Sequence, residues 1–317
     1  MKASEISNDK LIKEKKRKKM VAKIKNDTFL YLLILPTIIL TIIFAYLPMP
    51  GLIMAFMEYD VFKGFLGSPW VGFENFKEIF DLPAFWSATK HTLTLSLANL
   101  VIAIPIPVVF ALLLNEIRCK AFKRVVQTVS YLPHFLSWIA IIGISTALFS
   151  VTGIVNDARV AMGGEGTERI MFLAKQNFFV PHILVLSLWK SVGWNSIIYL
   201  STISGIDPEL YEAAACDGAG KFRQCLAITI PSVLPTAILM LIIKIGALFS
   251  DNFDLVYGLQ NTFIDYETIG TLVYKWGIQG GEYSLSTAIG LMQSVIGFAL
   301  VIMTNYISKK VNDVALW

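Results

Sequence analysis

Charge is scarce in this chain of 317 residues: Asp, Glu, Lys and Arg together make up 16%, against about 25% in an ordinary soluble domain. That shortage, beside 55% hydrophobic residues, excludes a soluble enzyme and a disordered regulator. Cysteine is rarer still. Three residues, Cys119, Cys216 and Cys225, cannot staple a secreted disulfide scaffold, and their spacing matches no zinc pattern. The three histidines, His91, His134 and His182, show no metal-ligand spacing either. No catalytic residue, resident cofactor or metal is expected, and nothing in the composition points to nucleic acid.

What the chain has instead is long runs without charge. Thr28–Met57, Thr92–Asn115, Val125–Asn156 and Tyr283–Ser308 contain no Asp, Glu, Lys or Arg. About 20 apolar residues suffice for a helix to cross the hydrocarbon core. Asn177–Ser204 and Ala227–Ser250 qualify too, each interrupted by a single charge, Lys190 and Lys244. Lipid offers the backbone no hydrogen-bond partner, so each crossing must be helical. The expected fold is all-α and polytopic. Its six crossings lie near 29–56, 92–115, 125–149, 178–204, 227–250 and 284–308, with Pro36, Pro105 and Pro107 as kink points. Residues 1–27 form a basic segment ahead of a transmembrane domain spanning 28–317.

Basic residues orient the domain. The N-terminal segment, the second and fourth connectors and the tail hold 18 Lys and Arg; the other connectors hold 6. By the positive-inside rule both termini are expected in the cytoplasm. The three cysteines then lie on the reducing side. Residues Lys10 to Lys25 are too charged and too extended for a signal-peptide n-region. They read as a topology determinant resting on anionic lipid. The last outer connector is acidic, with Asp251, Asp254, Asp265, Glu267 and Glu282 against Lys275.

The connector at 205–226 is built rather than merely flexible. Asp207-Pro208 reads as an N-cap followed by proline at the first helical position. Glu209 and Glu212 sit where the helix dipole favours negative charge, alanines follow, and Gly218 and Gly220 end the helix. Spacing alone fits an ordinary interfacial helix as well as a docking lever. The fragment Gly218-Ala219-Gly220-Lys221 imitates the end of a P-loop, but Ala215 replaces the first glycine and Phe222 the Ser or Thr, so no phosphate cradle forms.

The pattern Glu212-Ala213-Ala214-x-x-Asp217-Gly218-Ala219, followed by Ile228-x-Ile230-Pro231-x-x-x-Pro235, resembles the EAA loop of ATP-binding-cassette importer permeases. Cys225 stands where that family usually has an aromatic. Leu35-Pro36, Tyr46-Leu47-Pro48-Met49, Ser68-Pro69-Trp70-Val71-Gly72, the stretch Trp189 to Trp194 and the terminal Trp317 resemble its carbohydrate-uptake branch, of LplB-type and alginate-importer subunits. The resemblance implies a type I, MetI-like permease fold in a bacterial plasma membrane. It further implies a second homologous permease, an ATPase dimer docked on Glu212, Ala213, Ala214, Asp217, Gly218 and Ala219, and an extracellular solute-binding protein that delivers a carbohydrate. A non-sugar solute such as a peptide or anion fits the EAA loop equally. A self-sufficient secondary transporter would instead show inverted hydropathy repeats, which are not evident.

Ionisable groups inside a membrane mark candidate function. Lys190 sits beside Trp194, Asn195 and Tyr199, a set of cation, aromatic plates and polar groups suited to an acidic sugar. It reads equally as a lysine that snorkels or pairs with a carboxylate of the partner permease. Lys244 is as ambiguous. Asn252 and Asp254, with Tyr257, open the last outer connector, where they face either a vestibule or solvent.

Overall fold

A computed structural model describes residues 27–163, 169–250 and 252–312. Asp251, Trp317 and all of the basic start except Asp27 lie outside the described residues. Among the described residues the secondary structure is helical apart from one isolated bridge between Met57 and Trp70. Of the described residues, six segments are long and apolar enough to cross a membrane: Thr28–Phe56, Pro83–Glu116, Trp138–Ala161, Gln176–Ser204, Lys221–Gly246 and Tyr283–Lys310.

The chain divides into two units, Met1–Ile53 and Met54–Trp317. In the first, α1 (Thr28–Thr41) runs through Pro36 and carries no buried residue. A helix apolar on every side is what a lipid environment selects. It widens into a π turn at Ile42–Tyr46.

The second unit begins with an aromatic knot. Phe56 packs on Trp70, Phe73 and Phe76 at 5.3–5.7 Å between ring centres. Asn75 at the start of α2 (Glu74–Asp81) donates to the Ala55 and Met57 carbonyls at 2.9 and 3.0 Å. The second crossing then starts at Pro83, earlier than hydropathy suggests. It comprises α3 (Pro83–Ala103) and α4 (Pro105–Glu116), broken at Ile104. Pro105 and Pro107 lack the N–H that would continue the ladder.

The third crossing departs most from expectation. The run 125–149 is not one helix. α5 (Lys120–Tyr131) ends in a 3-10 turn at Leu132–Phe135, Leu136 is extended, and α6 (Trp138–Phe149) begins anew. Pro133 interrupts the ladder. Ser137 then caps α6 by accepting from the Ala140 amide at 3.2 Å. α7 (Ile154–Ala161) follows and completes the apolar segment Trp138–Ala161.

α8 (Gln176–Ser204) is the continuous fourth crossing. After α9 (Pro208–Cys216), the fifth starts at Lys221 rather than near 227: α10 (Lys221–Gln224), a π turn at Cys225–Thr229, and α11 (Ile230–Gly246) form one rod. The wide turn lies just before Pro231, where an ordinary helix would want the N–H that proline lacks. α12 (Phe253–Leu259), α13 (Ile269–Tyr274) and the sixth crossing, α14 (Tyr283–Asn312), complete the chain. At the crossing of α11 and α14, a Cβ on Gly297 would stand 2.7 Å from the Gly246 carbonyl oxygen. Such small-residue approaches are how helices pack when lipid supplies no hydrophobic drive.

Candidate functional site

The connector between the fourth and fifth crossings is rigid by its own backbone. The Asp207 carboxylate accepts from the Glu209 amide at 3.0 Å, capping α9, and Pro208 occupies its first turn. At the other end Gly218 takes φ +76°, a conformation that suits glycine. The Ala219 amide donates to the Ala214 carbonyl at 2.9 Å, and the Gly218 amide to that of Ala215 at 3.0 Å. These are the two bonds of a Schellman cap. Gly220 keeps φ −69° and opens α10, so only one of the two glycines makes the turn. Two ties fix the unit to the fifth crossing: Tyr211 and Thr229 share a hydroxyl bond of 2.9 Å, and Gln224 donates to the Ala219 carbonyl at 2.9 Å.

Yet α9 buries none of its side chains. Glu212, Ala213, Asp217 and Gly218 are exposed, Ala214 and Ala219 half-buried. The result is a short, doubly capped helix presenting carboxylates and small side chains outward.

In the membrane, the structure redistributes the roles expected of the polar residues. Lys190 does not hang free. Its ammonium donates to the His134 carbonyl at 2.9 Å and to that of Leu136, and lies 5.0 Å over the Trp138 ring. Trp194 stacks on His134 with ring centres 4.3 Å apart and planes 1° off parallel, while keeping an exposed face. Asn195 is half-buried beside it. Tyr199 is 1% exposed within a core with Ala111, Ile203 and Val233. The expectation that it lines an open path is therefore corrected: helical spacing put it on the face of α8 that packs against α4.

Lys244 is half-buried in the last turn of α11. It continues the stripe of Val233, Ala237 and Met240, which packs on that same core, by helical spacing. No hydrogen-bond or ion-pair partner for it appears among the described residues.

The connector between the fifth and sixth crossings is locked to its neighbours. Asn252 is a helix cap, accepting from the Leu255 amide at 3.4 Å, and Asp254 is exposed two residues on. His91 Nδ1 donates to the Glu267 carbonyl at 2.9 Å, Tyr266 donates back to the His91 carbonyl at 2.9 Å, and the two rings stack. Gln176 pairs with the Asp265 backbone at 2.8 and 3.0 Å. A polar cavity of about 540 Å³ opens beside these ties, walled by Tyr257, Gln260, Asn261, Asp265, Glu267 and Lys275. His182 shares a 2.5 Å bond with Ser145, joining the third and fourth crossings. These long-range pairings left no mark in residue spacing.

A family model, the binding-protein-dependent transport system inner membrane component, matches residues 103–313. The chain belongs to this family. It is a membrane-spanning transport subunit, with six apolar helical segments among the described residues. The polygalacturonan/rhamnogalacturonan transport system permease protein YteP of Bacillus subtilis (strain 168) is 40% identical over 310 residues, covering 97% of this chain and 96% of that one. Protein LplB of the same organism is 41% identical over 300 residues, covering 94% and 93%. Among solved structures, a bacterial ABC transporter involved in import of the acidic polysaccharide alginate has a chain that superposes with a TM-score of 0.82. It is 35% identical, over 93% of this chain and 99% of that one. A bacterial alginate ABC transporter in complex with an alginate pentasaccharide-bound periplasmic protein matches equally.

Proposed function

We propose that this chain forms half of the translocation pore of an ATP-binding-cassette importer for an oligo- or polysaccharide with acidic sugar units. In this reading both termini face the cytoplasm of a bacterial cell, and the basic segment 1–27 rests on anionic lipid. A second, homologous permease completes the pore. A separate ATPase dimer receives the EAA-like loop, and an extracellular binding protein delivers the substrate. The chain performs no covalent chemistry. ATP-driven closure of the ATPase pushes on Glu212, Ala213, Ala214, Asp217, Gly218 and Ala219, and the caps at Asp207 and Gly218 let α9 pass that push to the fifth crossing as a rigid body.

The observation that carries the coupling role is α9 itself, capped at both ends yet burying no side chain. Such a surface is free to meet another molecule. The sugar assignment leans on relatives named for polygalacturonan and alginate. A path follows from the aromatic face of Trp194 with Asn195, and from Lys244, whose ammonium has no anion within the described chain. Asn252 and Asp254 stand at its entrance.

Reconstitution tests the reading. Proteoliposomes holding this chain, a second permease and the ATPase, supplied with binding protein, are expected to accumulate labelled oligogalacturonate only with ATP. Accumulation by the lone chain would contradict it.

A further inference from the structure

The break in the third crossing raises a question of backbone chemistry. Where a helix stops, its last carbonyls have no amide to accept from, and in hydrocarbon no water replaces it. α5 and the 3-10 turn after it stop at Phe135, Leu136 is extended (φ −74°, ψ 141°), and α6 starts only after Ser137. The interruption faces Lys190. In Gln176–Ser204, a helix of 29 residues, Lys190 is the central residue, about 21 Å along the axis from either end. The break therefore lies against the middle of the fourth crossing, far from either end of that helix.

Lys190 supplies the missing donors. Its ammonium reaches the carbonyls of His134 and Leu136 and lies over Trp138, the first residue beyond the break. One turn on, the same helix touches the same segment twice more. A Cβ on Gly193 would overlap the Ser130 carbonyl, so the two backbones abut. Trp194 stacks flat on the His134 ring, with Phe135 edge-on to it at 5.7 Å. His134 is thus held by its backbone through Lys190 and by its ring against Trp194. Trp194 and Phe135 nevertheless keep 43% and 71% of their surface open, enough to meet a ligand.

We propose that Lys190 is a positioning residue of the transport path: it closes the carbonyls freed at the break and so fixes the His134–Trp194 stack, without itself meeting the substrate. This rests on the import reading above. An ammonium turned toward backbone carbonyls does not read the charge of a sugar. Its loss therefore disturbs the aromatic platform for every substrate alike.

The test compares Lys190→Met and Lys190→Arg in the reconstituted transporter, with a neutral and a uronate-containing oligosaccharide of equal length. Lys190→Met is expected to lower uptake at least tenfold for both, by the same factor. Lys190→Arg, whose guanidinium still donates to two carbonyls, stays within about threefold of the parent for both. A loss confined to the uronate would make Lys190 a substrate cation and overturn the proposal, as would full uptake by Lys190→Met. Should Lys190→Met not assemble, Lys190→Gln, which keeps a donor but no charge, decides: a change by the same factor for both sugars supports the brace, and a loss for the uronate alone overturns it.

A readout independent of transport separates this idea from the import reading. The emission contributed by Trp194, obtained by difference from Trp194→Phe, is expected to quench at least twofold more readily with acrylamide in Lys190→Met. Unchanged quenching removes the brace even if import is confirmed. A parent complex that imports neither sugar contradicts the import reading, while the quenching experiment still judges the brace.

Discussion

The two connectors flanking the fifth crossing are built on opposite plans. The one before it, around α9, satisfies its backbone internally, with an aspartate cap at one end and a Schellman turn at the other, and leaves most of its side chains outside. The one after it turns inward. Leu255, Val256, Leu259, Ile264 and Tyr266 join a core with residues of the second, third and fourth crossings. Its polar groups reach residues near 91, 92, 173 and 176. A connector whose polar groups end on neighbouring helices belongs to the fold. A connector that is rigid but unburied offers itself to another molecule.

Substitutions in the two connectors should therefore fail in different ways. The largest effect is expected from Gly218→Val. Nothing lies within 4 Å of a Cβ there, so no clash destabilises the bundle. The left-handed conformation alone costs an L-residue about 1–2 kcal/mol, and a β-branched side chain is still less suited to it. ATP-driven uptake should fall at least tenfold while membrane insertion and capture of the loaded binding protein persist. Uptake at the parental rate would erase the distinction between the connectors.

A smaller effect, of the other kind, is expected from Thr92→Val. The Thr92 hydroxyl accepts from the buried Ile269 amide at 2.8 Å, and valine keeps the shape while leaving that amide unpaired. The cost is about 1–3 kcal/mol, seen as a lower thermal midpoint in detergent, with uptake per assembled complex little changed. Lost coupling at unchanged stability would mean that this connector, too, acts as a lever.

How far these features could be read from residues alone follows from the range of the contacts involved. Length and apolarity are local, so six crossings were legible. So was the 205–226 connector, because a cap, a proline and a glycine turn act within a few residues of each other. The interruption of the third crossing was missed: Pro133 lies within the run, but an uncharged run of that length reads as one span. Lys190 shows the limit. Its partners lie 54 and 56 residues away, and a lysine in an apolar run looks the same whether it awaits an anion or caps a carbonyl. Tyr199 failed for a related reason. Spacing identifies a shared face of α8 without saying whether that face meets a cavity or, as here, Val233 and Ala111.

The central claim is that α9 is covered by an ATPase in the working transporter. Cys216 on that helix is exposed and free, and the other exposed cysteine, Cys119, can be removed as Cys119→Ser. The rate of maleimide labelling at Cys216 is then measured in the lone permease pair and again after ATPase is added. Labelling is predicted to slow at least tenfold on assembly, and an unchanged rate in a complex that hydrolyses ATP would contradict the docking role of α9.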